Sequence, residues 1–319
     1  MRRQRGVALI TVLLVLAIIV VLAANMANRL GINIRRTGNQ IGEHQAYFYA
    51  LSGEAYARLA LHRLLKKDDG ILVAGGDWSK AQKFPVPGGS IAGRIVDGRN
   101  CFNLNSLAGN EQDVKAHKAQ FIALLTLQGI DRYQAETIAA SLADWLDADD
   151  RLQSSLGAED AEYQGHKVPY LAANGPMTDK SELRMVKGVS AELYQKIAPD
   201  VCVLDNASNQ LNINTLPANK AALLAALLTP MPLDSAEAVL ASRPAKGYAS
   251  KEAFWQDPAV SKLHNLQAGA QESIVIKSDR FFVQLEGRFQ GRPAYMESAL
   301  KKNDNNNLTV LWRRLGGRL

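Results

Sequence analysis

The sequence predicts an α+β protein: a long N-terminal transmembrane and amphipathic helix packed on a small antiparallel sheet, with a large all-α domain inserted between the two halves of that sheet. Three observations predict it. Residues 7–24 form an apolar run broken only by Thr11, and helical periodicity continues without proline to Lys66. Short alternating segments flank the middle of the chain, at 90–104 and 281–312, as strands with one buried face do. Between them, residues 106–275 carry helical patterning throughout.

The apolar run has the length of a membrane-crossing helix, roughly 18–20 residues for a hydrocarbon core of about 30 Å. Inside hydrocarbon it must be helical, since each backbone group has to find its partner within the segment. The hexapeptide Met1-Arg2-Arg3-Gln4-Arg5-Gly6 ahead of it places three arginines on one flank, which orients the N-terminus to the cytoplasm. A cleavable signal and a plain signal anchor compete with this reading. The run is longer than a signal core of about 7–15 residues, and the helical pattern does not stop after Ala23-Ala24-Asn25-Met26-Ala27. Beyond it Leu30, Ile34, Ile41, Phe48, Leu51, Ala55 and Leu59 recur at three-, four- and seven-residue steps, an amphipathic continuation over 25–66.

Residues 68–89, rich in Gly and Pro, read as a loop. Residues 90–96 and 101–104 read as strands joined by an Asp97-Gly98 hairpin turn. Residues 281–289, 294–300 and 308–312 read as a meander with turns at 290–293 and 303–307. Helices are expected at 116–127, 134–146, 180–186, 191–197, 218–228, 234–241 and 251–257. Asn103-Leu104-Asn105-Ser106-Leu107 echoes Asn212-Ile213-Asn214-Thr215-Leu216, a weak internal repeat in which Ser106 or Thr215 can serve as a cap. The domain plan is therefore a leader at 1–6, a membrane segment at 7–24, its helical continuation at 25–66, an α/β domain from 67–105 and 276–319, and the helical insertion at 106–275.

Length and composition (319 residues, 47% apolar, 21% charged) suit two globular cores. The net charge of +6 owes half its value to the leader, so no strong field for binding phosphate is present. Cys101 and Cys202 are the whole thiol inventory. In an exported chain they can pair in one way only, and the alternative is two buried thiols.

Asp144, Asp147, Asp149, Asp150, Glu159, Asp160 and Glu162 place seven carboxylates within nineteen residues. They repel one another unless solvated or held by a cation. Calcium takes six to eight oxygen ligands in flexible geometry, and the lack of nearby His or Cys argues against zinc. The pattern is not an EF-hand, since counting from Asp147 puts Leu152 where Gly is required and Ala158 where Glu is. A glycosidase-like acid pair is the enzymatic alternative. The histidines are scattered and neither a nucleophile elbow nor a phosphate loop is present, so no enzyme is expected.

The basic leader ending in Gly6, followed directly by the apolar helix, resembles the class III leader of type IV pilins and pseudopilins. That resemblance implies cleavage after Gly6 by a prepilin peptidase and a mature, methylated N-terminus at Val7. Residues 102–105, 144–149, 157–163, 174–177, 181–189 and 211–215 follow in the order found in the K-type minor pseudopilins of type II secretion systems. This resemblance spans most of the chain. It implies a pseudopilin fold interrupted by a large α-domain, and a non-enzymatic subunit at the tip of a periplasmic pseudopilus that helps export folded proteins. The bacterial inner membrane would hold the single span, with the ectodomain in the periplasm. The implied partners are I- and J-type minor pseudopilins, the H-type subunit and the major pseudopilin shaft. Calcium is the implied ion, with Asp147, Asp149, Glu159, Asp160 and Glu162 as ligands, Asp144 capping or pairing locally and Asp150 facing solvent. Thr11 stands at mature position five, where most pilin-like chains carry Glu, and marks a subunit with nothing ahead of it. The alternative function is a membrane-anchored DNA-binding protein, because residues 182–189 followed by 191–197 resemble a helix-hairpin-helix. The acidic loop in the same domain weighs against nucleic acid.

Overall fold

The computed structural model describes residues 5–67, 69–109, 111–264, 266 and 269–316. The leader residues Met1 to Gln4 and the C-terminal Arg318 lie outside them. Helix α1 (Arg5–Lys67) is continuous over 63 residues, about 95 Å at 1.5 Å per residue. Its first half is exposed, contact with the rest of the chain begins at Asn39, which accepts from Arg292, and burial begins at Gly42. From there Ala46, Ala50, Gly53 and Ala57 form a narrow stripe of small residues that lets the sheet approach closely. A methyl group on Gly287 would come within 2.0 Å of the Ala46 carbonyl oxygen.

The sheet has five antiparallel strands in the order β1 (Gln82–Val86), β2 (Gly89–Asp97), β7 (Arg280–Phe289), β8 (Arg292–Lys302), β9 (Leu308–Leu315). One face packs Ile95, Phe281, Val283, Leu285, Met296 and Leu300 against Leu61 and Leu65 of α1. The meander stands where the sequence placed it, except that Arg292 and Pro293, read as turn, open β8. Gln290 and Gly291 both take positive φ, as a two-residue hairpin turn with the right twist requires. Within this core Glu54 accepts hydrogen bonds from Arg313 Nε at 2.7 Å, Arg313 Nη2 at 2.8 Å and Ser298 Oγ at 2.6 Å. Burial pushes the Glu54 carboxyl up, but these donors together outweigh it and hold it below the usual range.

The first hairpin differs from expectation. Residues 90–96 do not turn back at Asp97-Gly98 onto 101–104; they pair with β1, inside the segment read as loop. Pro85 and Pro87 hid that strand, yet Pro85 is tolerated because β1 is the sheet edge. The turn between β1 and β2 needs Gly88 at φ +72° and Gly89 against the Arg288 carbonyl oxygen.

At Asp97 the chain leaves the sheet, and it returns at Arg280. In between lie α2 (Glu111–Leu127), α3 (Arg132–Leu146), α4 (Asp160–Gln164), α5 (Ala191–Ile197), α6 (Ala221–Leu227), α7 (Leu233–Ser242) and α8 (Lys251–Trp255). Of residues 180–186, expected to be α-helical, 180–185 form a 3-10 helix instead, capped by Asp179 and Glu182 in a reciprocal box. Two short parallel pairs join distant segments: β3 (Phe102–Asn103), inside the expected strand 101–104, pairs with β4 (Val201–Cys202) instead of with 90–96, and β5 (Leu211–Asn212) pairs with β6 (Ile274–Val275), which periodicity missed. They give the Asn-x-Asn repeat its meaning. Asn105 donates to the Met177 and Leu204 carbonyls and accepts from Met177 N; Asn214 donates to Tyr248 and Ile276 and accepts from Tyr248 N. Each half of the α-domain is pinned by one buried asparagine in the same way.

The insertion is anchored at its root. Asp97, fully buried, accepts from Thr215 Oγ1 and Ser278 Oγ, both at 2.6 Å, and from Asn212 Nδ2. Burial pushes its carboxyl up against these donors. Cys101 and Cys202 are disulfide-bonded beside it, packed with Leu204 against Phe282 of the sheet. Asp205 pairs with Arg280 at 2.8 Å and Lys301 at 3.1 Å, and Arg314 of β9 pairs with Asp179, so the α-domain also grips the sheet face opposite α1.

Candidate metal centre

Helix α3 starts at Asp131, whose side chain caps the Tyr133 and Gln134 amides, and buries Ile138, Ala139, Leu142 and Trp145. Asp144 lies within that buried set and is itself fully buried. Its oxygens accept from Gln153 N at 3.2 Å and Ala158 N at 3.0 Å, so the loop after α3 folds back over the helix end. Gly157 allows this approach, since a Cβ there would stand 1.8 Å from Asp144 Oδ2.

Asp147, the C-terminal cap of α3, accepts from Gln153 Nε2 through Oδ2, while its Oδ1 is buried without a partner. Glu159, before α4, has both carboxylate oxygens buried and unpartnered. Ligand atoms of Asp144, Asp147 and Glu159 all lie within 4.8 Å of one another. Burial first, then the charges of Asp144, Asp147, Asp150 and Asp160, raise the Glu159 carboxyl to about 7. Burial raises Asp144 as well, above what its two amide bonds would allow. The ammonium of Lys118 on α2 is pushed down by burial while Asp144 and Asp147 draw it up.

Three orphaned buried oxygens in one cluster are costly unless something fills the space between them. An oxygen-only donor set suits a hard divalent cation, and the residues present fit calcium. Of the five carboxylates expected as ligands, the structure brings together Asp147 and Glu159. Asp149 accepts from Arg151 N in a local turn, Asp160 from Ala172 N at 2.9 Å, and Glu162 pairs with Lys187 at 3.2 Å. Asp150, read as facing solvent, accepts from Asn174 Nδ2. The third member is Asp144, assigned to capping from sequence. The signal that would have found it is its place on the apolar stripe of α3, one turn before Asp147, where a carboxylate has no ordinary reason to be.

The segment that resembles a DNA-binding hairpin has its glycine turn, Gly188 at φ +87° ahead of α5, but a 3-10 helix in place of the first α-helix. Leu183, Val186 and Leu193 bury its inner side. Lys187, the cation beside the turn, is occupied by Glu162 and the Gly157 carbonyl at 3.3 Å. A groove of about 1130 Å³ between α1 and β1–β2 is lined by none of the clustered acids. At the other end of the molecule Gly6 and Val7 lie in the first turns of α1, and Thr11 Oγ1 donates to the Ala8 carbonyl at 2.9 Å.

Two family profiles, each described as type II secretion system (T2SS), protein K, match residues 100–206 and 211–277. The type II secretion system protein K of Aeromonas hydrophila is 39% identical over 99% of this chain and 98% of its own length. That of Klebsiella pneumoniae is 36% identical over 98% and 97%. Among solved structures, a chain of the GspK-GspI-GspJ complex from the enterotoxigenic Escherichia coli type 2 secretion system superposes with a TM-score of 0.79 at 33% identity. That match covers 89% of this chain and 100% of the other.

Proposed function

This chain belongs to the type II secretion system protein K family, and from that membership we propose that it is the non-enzymatic minor pseudopilin at the tip of the secretion pseudopilus. The observation that carries this is where the insertion sits along α1. The membrane-proximal end of the sheet is marked by Arg292 against Asn39 and Phe289 against Tyr49. The far end is marked by Leu308 with Arg58 and Asn306 with His62. Asp97 and Arg280, between which the α-domain is inserted, belong to the far end, because β2 and β7 pair from Gly89↔Phe289 to Asp97↔Phe281. A mass of this size beyond the last turns of α1 blocks stacking of another subunit above it. Shaft subunits need both ends free.

Thr11 supports the same reading. A lone carboxylate in hydrocarbon costs several kcal/mol unless a neighbour's amine meets it; a hydroxyl satisfied within its own helix needs no neighbour. Below the α-domain, Ile41, Phe48 and Leu59 leave an apolar stripe exposed on the face of α1 away from the sheet. I- and J-type subunits are the proposed occupants, the H-type subunit and shaft following below; the solved relative is titled as a complex with GspI and GspJ. Prepilin peptidase would cut after Gly6 to leave a methylated Val7. The disulfide fits an oxidising periplasm on the far side of an inner membrane crossed by residues 7–24. Asp144, Asp147 and Glu159 would hold calcium, whose charge offsets their repulsion and fixes loop 147–159 on α3.

Site-specific crosslinking in assembled pseudopili tests the placement. Crosslinks should run to I- and J-type subunits below the α-domain and to none above it. Shaft subunits captured on both sides would overturn it. Thr11→Glu should lower incorporation at the tip without affecting the folded ectodomain.

A further inference from the structure

Cations flank the apolar run on both sides. Arg2, Arg3 and Arg5 precede it, and Arg29, Arg35 and Arg36 follow it, whereas the exported flank of a span is ordinarily poor in arginine. No Asp or Glu occurs between Arg5 and Glu43. Among the described residues no ion pair joins Arg29, Arg35 or Arg36 to any carboxylate, and all three are exposed. Arg35 shares the face of α1 that carries Asn39, Gly42 and Ala46. One turn above it Arg292, at the start of β8, bonds Asn39 Oδ1 and lies over Gly42. Arg292 thus sits on the face of α1 that carries Arg35, and among the described residues no carboxylate pairs with it.

We propose that Arg29, Arg35 and Arg36, joined by Arg292, form a basic collar that holds the phosphates of anionic phospholipids in the leaflet from which α1 emerges. This rests on residues 7–24 spanning the membrane, as proposed above. The rise of an α-helix puts Arg29 about 8 Å and Arg36 about 18 Å beyond Ala24. The headgroup zone is about 6–8 Å deep, and arginine side chains reach back along the helix into it. Arg29 therefore lies at the phosphates, and Arg35 and Arg36 within about a Debye length of them. Such a collar holds the sheet base against the bilayer until assembly draws α1 upward.

The test uses the full-length chain in phosphatidylcholine bilayers with and without a minor fraction of phosphatidylglycerol. Lipids retained after mild extraction are counted by mass spectrometry. The expected result is phosphatidylglycerol enrichment of about fivefold per arginine, falling with salt. It should be lost in an Arg29→Gln, Arg35→Gln, Arg36→Gln variant and kept when the same positions become Lys. Equal phosphatidylglycerol content in the parent and the Gln variant overturns the collar. So does capture of residues 35 and 36 by an acidic face of a partner subunit without lipid enrichment. A chain that fails to insert into phosphatidylcholine alone refutes the spanning reading instead, a separate outcome.

Discussion

Replacing Glu159 by Gln separates a cation site from a merely crowded acidic loop, because the two readings demand opposite changes. In the metal-free protein Glu159 titrates at about 7 against an ordinary 4.5, burial being the main cause. The folded state therefore holds a proton that the unfolded chain has already released. Its contribution to stability is full below pH 4.5 and is lost as pH rises to 7 and past it. At about 1.4 kcal/mol per pH unit of separation, the metal-free wild type should lose about 3 kcal/mol between pH 4.5 and pH 8. Glu159→Gln should remove that loss, making the variant the more stable protein at pH 8 in chelator. With calcium at a thousand times its dissociation constant the order reverses, since the wild type gains about 4.1 kcal/mol and the variant little. Urea denaturation of both proteins at several pH values, with chelator and with calcium, measures all four quantities. Equal stabilisation of wild type and variant by calcium, or the same pH slope for both in chelator, would refute the reasoning.

Arg313→Met should destabilise by about 2–4 kcal/mol, because it strands the buried Glu54 charge between Ser298 and the core. With Glu54 held below its usual value, the difference should vanish as acid protonates it, which denaturation from pH 7 to pH 3 checks. Cys101→Ser with Cys202→Ser opens a covalent loop of sequence separation 101 and should cost about 2–4 kcal/mol, read as a lower urea midpoint without change in the sheet's circular dichroism. Gly157→Ala should drive Asp144 from its position and abolish calcium stabilisation while the chelated protein changes little; Gly287→Ala should instead destabilise in both conditions, because α1 must lift off β7.

What could be read in advance follows the range of the forces involved. The apolar run, the stripe of α1 and the alternation of β7–β9 are local patterns with one buried face each, and they appear where expected. Strand β1 escaped because its partners, not its own residues, make it a strand: Gln82, Lys83 and Pro85 have no β pattern, and pairing with β2 supplies the structure. The pairings β3–β4 and β5–β6 were invisible for the same reason, the strands being two residues long and about 100 and 60 residues apart, although 102–103 lies in a segment read as strand. Among the acids, composition located the cluster but not its members. Asp149, Asp160 and Glu162 outrank Asp144 in a sequence because they lie outside the expected helix 134–146, yet backbone amides and Lys187 take them up. Asp144 is committed by its helix face.

The root of the insertion has a bearing on how the chain folds. Asp97 and Phe281 are opposite residues on adjacent strands, so β2 can zip to β7 only after residues 98–279 have brought their two ends together. For a random coil of about 180 residues that closure costs about 3 kcal/mol more than for a short connection. A nascent chain that completes the α-domain first, its ends held by Cys101, Asn212 and Ser278, arrives at the sheet with that entropy already spent. Acquisition of the sheet should then be slow and late, paced by maturation of a domain to which only two of its strands are joined.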